Sequence, residues 1–363
     1  MKRSNYTIYS TTEESWESML QSIEGAQKSI YWEVYMVADD ESGNKFFDLL
    51  EAKARAGVDV KLIVDYWGSL ALSNKKINQL KVSGVDIRRF EDRKRRHLIW
   101  WGLFSSRTHR KILIVDEKIG FIGGVNVRHF MKNWLDIYVR VEGKIVRSLL
   151  RSFAKSYIIC GGEREAVKPF LKYRYRVLKS QFDLITDEPN TNNSKVKDNY
   201  VRALNRARER VILFSPYYFP DREFLAALYD AKKRGVRLDL LIPLRTDLRI
   251  VTYAAFAWFA LMRTMGVNVH ISPHMMHGKG IIVDNNWAMI GSSNIDQTSF
   301  FYNHEANLST KDQGFVRQLK TILELWIKDS EHVGSGWEKR SWWRQTREKI
   351  ALKLYRWWFG IKE

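Results

Sequence analysis

Short runs of β-branched and aromatic residues alternate with amphipathic stretches along this chain, and the alternation is written twice. Residues 11–28 carry apolar side chains at helical spacing. Residues 29–35 (Ser-Ile-Tyr-Trp-Glu-Val-Tyr) then predict a strand, 44–56 a helix and 58–65 a second strand. The same order returns as strand 210–214, helix 222–234 and strand 236–242, and the Ala-Gly-Val-Asp-Val of 56–60 is echoed by Arg-Gly-Val-Arg-Leu at 234–238. Strand and helix alternating in this way predict an α/β fold, with two similar lobes that each hold a parallel or mixed β-sheet flanked by helices. The polar, Asn- and Asp-rich stretch 186–199 predicts a linker, which places the first lobe at 1–185 and the second at 200–333.

Three further stretches bear on what the molecule touches. The nearest approach to a membrane span, 250–262, is closed by Arg249 and Arg263 and falls short of the roughly 20 residues a bilayer requires; it predicts a core or interfacial helix. The lobes also differ in length: 52 positions separate Gly57 from His109, but 42 separate Gly235 from His277, so the first lobe holds about ten extra residues within 88–107. There Arg93-Lys94-Arg95-Arg96 precedes the apolar 98–104, which reads either as a loop dipping into anionic lipid or as a solvated basic turn followed by core aromatics. Within 334–363, Trp343, Ile350, Leu354, Trp357, Trp358 and Ile361 recur at near-helical spacing among Arg and Lys. They predict a basic, Trp-rich amphipathic helix, lying in a membrane interface or docked on the second lobe.

Composition adds bounds. A chain of 363 residues is long enough for two domains, and its net charge of +19 points to an anionic partner without choosing among lipid, nucleic acid and phosphorylated metabolites. The lone Cys160 excludes an intramolecular disulfide framework and fits a reducing compartment. Residues 1–16 show no secretory signal.

The candidate chemistry lies in a motif that occurs twice. His109-x-Lys111-x4-Asp116 runs on to Gly123-Gly124-Val125-Asn126, and His277-x-Lys279-x4-Asp284 runs on to Gly291-Ser292-Ser293-Asn294, each residue of the second copy 168 positions after its counterpart. The apolar residues 111–115 and 279–283 read as buried strands, so each histidine shares a face with its lysine. Asp116 and Asp284 are an odd number of positions away and are expected as structural acceptors at strand ends. The glycines allow a tight turn and close approach of backbone to a ligand, delivering Asn126 and Asn294 as neutral donors beside the lysines, with Gly124 and Ser292 expected at the substrate too.

These residues resemble the phospholipase D superfamily, over about 300 residues. The resemblance implies two lobes related by a pseudo-twofold axis, with both motifs forming one shared active site whose catalytic set is His109, Lys111, Asp116, His277, Lys279 and Asp284. It implies a covalent phosphohistidine, His109 being the nucleophile and His277 the general acid and then general base. It also places an acidic residue downstream of each motif to orient a histidine, and Asp136 and Glu305 match, each contacting the opposite lobe's histidine. Within the superfamily the chain looks most like bacterial cardiolipin synthases, on Asp65-Tyr66-Trp67-Gly68-Ser69, Ser215-Pro216-Tyr217-Tyr218-Phe219-Pro220-Asp221 and Gly291-Ser292-Ser293-Asn294-Ile295-Asp296. It is similar to the shorter forms that have no N-terminal membrane helices. It departs from the family at Thr108, where Asn is common, and at Thr298, where Arg is common.

A phosphodiester repels nucleophiles by its charge; two lysines and two asparagines around it offset that charge, so one imidazole can attack while the other protonates the leaving alkoxide. The implied reaction joins two phosphatidylglycerol molecules into cardiolipin, with no metal or cofactor, on the cytoplasmic face of an anionic phospholipid membrane to which the protein is peripherally attached. Nucleic acid is not expected. Two other readings stay open: a hydrolase or nuclease using water with the same residues, and a membrane-binding protein without catalysis. The remaining histidines, 97, 129, 270, 274, 304 and 332, have no matching spacing and are expected to be structural or on the surface.

Overall fold

The computed structural model describes residues 5–91, 106–173, 180–189, 193–247, 249–333 and 341–358. Most of the insertion at 88–107, with Arg93 to Phe104, and part of the C-terminal stretch lie outside the described residues.

The first lobe runs β1 (Tyr6–Thr11), α1 (Thr12–Glu24), β2 (Ser29–Val34), α2 (Glu41–Arg55), β3 (Asp59–Asp65), α3 (Asn74–Val82), β4 (Asp86–Phe90), β5 (Ile112–Val115), β6 (Ile119–Gly123), β7 (Leu135–Glu142), α4 (Ile145–Ile159) and α5 (Arg164–Leu171). The second runs β8 (Phe182–Asp187), α6 (Lys195–Arg206), β9 (Arg210–Phe214), β10 (Tyr218–Phe219), α7 (Arg222–Lys233), β11 (Arg237–Pro243), α8 (Arg249–Thr264), β12 (Asn268–Ser272), β13 (Gly280–Val283), β14 (Trp287–Gly291), β15 (Ile295–Asp296), β16 (Glu305–Thr310), α9 (Gln313–Lys328) and β17 (Glu331–His332), followed by α10 (Trp342–Trp358).

Each lobe has one mixed sheet. The first is ordered β1-β7-β6-β5-β2-β3-β4 and the second β17-β12-β11-β9-β13-β14-β16-β8. Within these two sheets parallel pairing is confined to β2-β3-β4 and to β9-β11-β12, where helices cross over, and the hairpins after them are antiparallel; β10 and β15 form a separate parallel pair. The order makes β8 the counterpart of β1, since each pairs with the strand that carries the downstream acid. The second lobe therefore starts at Phe182. The linker expected at 186–199 is corrected accordingly: Asp187 closes β8, Lys195 opens α6, and the Asp187 carboxylate accepts the N–H of Lys195 at 2.8 Å and that of Val196 at 3.2 Å.

Alternation within the motif strands shows how the sheets are held. Ile112 and Ile114 of β5 and Ile282 of β13 point into one core shared by both lobes, with Leu149 and Phe153 of α4 and Phe315 and Leu319 of α9 between the sheets. Leu113 and Val115 point the other way, under α1–α3, and Ile281 and Val283 under α6–α8. Helix ends match too. Gly57 after α2 and Gly235 after α7 have φ of +87° and +85°, the left-handed conformation glycine takes at a helix end. The apolar run at 250–262 falls in α8, whose Ala254, Phe256, Phe259 and Met262 are core residues. Among the described residues no helix is long and apolar enough to cross a membrane.

Candidate active site

Both motif histidines sit three residues before their strands, β5 and β13, where the two lobes meet, and backbone fixes them there. The His109 N–H donates to His304 O at 2.9 Å and the His277 N–H to Leu135 O at 2.6 Å. Bonds from His304 N to Arg107 O (2.8 Å) and from Leu135 N to Met275 O (3.0 Å) complete two symmetric cross-lobe bridges. His304 and Leu135 immediately precede Glu305 and Asp136, so each bridge sets a carboxylate beside the other lobe's imidazole. His109 Nδ1 lies 3.0 and 3.2 Å from the Glu305 carboxylate oxygens, and His277 Nδ1 2.8 Å from Asp136 Oδ2. A carboxylate only accepts, so each Nδ1 carries the proton and each Nε2 keeps a lone pair.

The surroundings set the charges. Burial pulls His109 down to about 4, with Glu305 opposing and Lys111 assisting. Burial also lowers His277, helped by Lys279 and opposed by Asp136. Lys279 falls to about 8 through burial against the pull of Asp136 and Glu305, and Lys111 is lowered strongly by burial and by Lys279. Both imidazoles are thus neutral at pH 7, beside two buried lysines that favour an anion between them. Lys111 Nζ donates to His109 O at 2.5 Å and Lys279 Nζ to His277 O. Tyr35 meets His109 edge-on at 4.8 Å between ring centroids, and Trp134 lies 5.4 Å from the His277 ring, which limits imidazole rotation.

Between the histidines lies a cavity of about 320 Å³ to which both lobes contribute, lined by His109, His277, Asn126 and Asn294 among others. Asn126 Oδ1 accepts the Met36 N–H at 3.2 Å, which turns its amide N–H groups to the cavity. Asn294 Oδ1 meets no donor among the described residues.

Asp116 and Asp284 stand at the far ends of β5 and β13. Asp116 and Glu117 have φ of 50° and 56°, Asp284 and Asn285 of 50° and 54°, the type I′ pattern of a tight hairpin. Their carboxylates accept backbone N–H groups of Gln27, Lys28 and Ser29, and of Arg208, Glu209 and Arg210, at 2.7–3.1 Å. Counting them with the catalytic set is therefore corrected to the structural role that their odd spacing implies. Gly124 and Ser292 do not line the cavity, which corrects their expected place at the substrate. A Cβ on Gly124 would come within 2.2 Å of Asp136 Oδ1, and the Ser292 hydroxyl donates to Glu305. Both make room for or brace the carboxylates behind the histidines.

Other participants were not anticipated. Arg110, fully buried between the motif His and Lys, ties the lobes together by donating to Glu305 O (3.2 Å), Ser156 Oγ (3.0 Å) and Asp187 O (3.1 Å). Arg107, Tyr217 and Asp247 line the cavity. Arg110 stands where the second motif has Gly278, and that difference was the one available signal. His304 and His270 are buried in structural settings, the latter 3.0 Å from Asp239.

The family model described as "Cardiolipin synthase, PLD-like domain" matches residues 19–155 and 200–326. The chain is 32% identical to the cardiolipin synthase of Geobacillus kaustophilus over 97% of its own length and 71% of that protein's. It is 30% identical to cardiolipin synthase B of Escherichia coli K12, over 95% and 86%. The crystal structure of the Haemophilus influenzae phosphatidylserine synthase has the same fold, with a TM-score of 0.74 over 97% of this chain and 93% of that one, at 13% identity.

Proposed function

The chain belongs to the cardiolipin synthase family built on phospholipase D-like domains, and from that premise we propose that it joins two phosphatidylglycerol molecules into cardiolipin, releasing glycerol. Lys111, Lys279, Asn126 and Asn294 hold the phosphodiester and offset its charge. That charge, arriving between two lysines, also favours the protonated form of His277. His109 Nε2 attacks phosphorus while His277 gives its Nε2 proton to the glycerol oxygen, whose bond to phosphorus breaks, leaving phosphatidyl-His109. The second phosphatidylglycerol then attacks through its primary hydroxyl, and His277 takes that proton. The new P–O bond forms as the P–N bond breaks, restoring both imidazoles.

The observation that carries this reading is the crossed pairing, in which each histidine is oriented by the other lobe's acid so that both Nε2 atoms serve one cavity. The protein acts peripherally on the cytoplasmic face of an anionic membrane, to which its net charge of +19 draws it. Incubated with phosphatidylglycerol vesicles and a chelator, the purified protein is expected to form cardiolipin and glycerol in equal amounts. Activity abolished by the chelator and restored by one divalent ion would contradict the mechanism. Phosphatidic acid as the sole lipid product would make water the acceptor and the protein a hydrolase.

A further inference from the structure

The cavity is built from two copies of one motif, yet its walls differ chemically at positions that the pseudo-twofold relates. The bridge Val37–Val127 and the β10–β15 pair Tyr218–Ile295 are counterparts, which fixes the correspondence. By it Met36 answers to Tyr217, Arg128 to Asp296, Phe130 to Thr298 and Met131 to Ser299. Arg128 turns away to Asp40, its Nε 3.2 Å from the carboxylate. The first-lobe wall thus presents Tyr35, Met36 and Met131, with Arg107 donating to the Tyr35 hydroxyl at 3.3 Å. The second-lobe wall presents Tyr217, Asp247, Asp296, Thr298, Ser299 and Asn303, with Val251 as its one apolar member among the lining residues. There the Tyr217 hydroxyl donates to Asp247, and Asp296, only 4% exposed, accepts the Ser299 N–H at 2.7 Å.

A wall of hydroxyls, an amide and two carboxylates calls for a ligand rich in hydrogen-bond donors. An anionic group would be repelled by Asp247 and Asp296. A cationic one would be brought beside Arg107, which lines the same cavity. A neutral polyol avoids both costs, since each hydroxyl donates to a carboxylate and accepts from a neighbouring hydroxyl or amide. Burial pushes Asp296 up to about 7, against the bonds it accepts from the Ser299 N–H and hydroxyl and from the Thr298 N–H.

Resting on the phosphatidyl-transfer reading, we infer that this wall is a polyol subsite that takes the glycerol portion of the departing and the incoming headgroup, with Asp296 and Tyr217 hydrogen-bonding its adjacent hydroxyls. The subsite explains how a motif symmetric around phosphorus distinguishes the alcohol side from the acyl side.

The test is an acceptor competition. The full chain is incubated with phosphatidylglycerol vesicles and equal concentrations of propane-1,2-diol and propan-1-ol, and the two phosphatidyl alcohols are quantified from the same mixture. The diol product should exceed the monool product by at least about tenfold, because a site built to bond a hydroxyl rejects the analogue lacking it. Asp296→Asn, which keeps an acceptor for the Ser299 N–H, and Tyr217→Phe should each cut that ratio by at least about fivefold, and Met131→Leu should leave it unchanged. A ratio read within one mixture does not depend on how much of a variant is folded. A wild-type ratio near one, or a ratio unmoved in both Asp296→Asn and Tyr217→Phe, overturns the subsite while leaving phosphatidyl transfer standing. Transfer to water alone overturns the transfer reading and the subsite with it.

Discussion

A histidine that attacks phosphorus needs an unprotonated Nε2 and a fixed ring, and Glu305 supplies the second without removing the first. Its carboxylate accepts from His109 Nδ1, 3.0 Å away, while burial keeps the imidazole neutral down to about pH 4. Adduct formation with a phosphatidyl ester whose leaving group needs no proton should therefore persist as pH falls below 6.5, the ordinary histidine value, and be lost only on approach to about 4. Single-turnover quench at a series of pH values measures this; a midpoint near 6.5 would show that His109 is not so placed. Glu305→Gln and Asp136→Asn keep shape but lose the charge that fixes the Nδ1–H tautomer, so each should lower kcat by about 10²–10⁴-fold with a small change in KM. A loss under about fivefold in either would remove that residue from the account.

At the scale of elements, the motif aspartates and α10 show two ways in which a sequence pattern resolves. Asp116 ties the β5–β6 turn to the start of β2 through three backbone N–H groups. Asp116→Ala should cost about 1–3 kcal/mol of stability, read by denaturant unfolding, while kcat per folded molecule stays within about threefold. Burial would raise the Asp116 carboxyl, but the N–H groups of Ser29, Lys28 and Gln27 hold it below its usual value. Its contribution is therefore present above the unfolded value, about 4, and is lost as pH falls through the lower folded value. In α10, docking and exposure coexist. Ala351 is buried against the second lobe's core and Arg347 lies over the Tyr253 ring of α8, whereas Trp343, Ile350 and Leu354 of the apolar stripe point outward with Trp342. Replacing those four by serine should leave the melting temperature within a few degrees but weaken sedimentation with anionic vesicles several-fold, since each buried large apolar side chain is worth about 1.5–3 kcal/mol. Deleting 334–363 should instead lower stability as well, by uncovering α8. Vesicle binding unchanged in the serine variant would leave α10 as packing alone.

At the scale of the whole molecule, the duplication was legible because it was written in residues: the 168-position offset and the echo of 56–60 at 234–238 required no three-dimensional knowledge. The motif strands were legible for the same reason, whereas Asp136 and Glu305 were expected only from the family resemblance; the structure sets them beside His277 and His109. What the spacing of 186–199 could not reveal is that Phe182 to Asp187 pairs with β16, because a strand on a sheet edge is defined by its partner and not by its own polarity. Gly124 and Ser292 were misplaced for a related reason. Proximity to the motif in sequence does not tell whether a side chain faces the cavity or the carboxylate behind it. Arg110 could not be read as a clamp until both lobes were in place, since its three acceptors come from α4, β8 and β16. The asymmetry of the walls became visible only once the pseudo-twofold paired Met36 with Tyr217.

The central claim is that one site, assembled from both lobes, carries a phosphatidyl group on His109. Acid-sparing quench of the enzyme during turnover of phosphatidylglycerol, followed by peptide mass spectrometry, tests it most directly. The account predicts a phosphatidyl adduct on the peptide containing His109, absent in His109→Ala and greatly reduced in Glu305→Gln although that residue lies in the other lobe. An adduct on His277, or cardiolipin formed at the wild-type rate by His109→Ala, would contradict it.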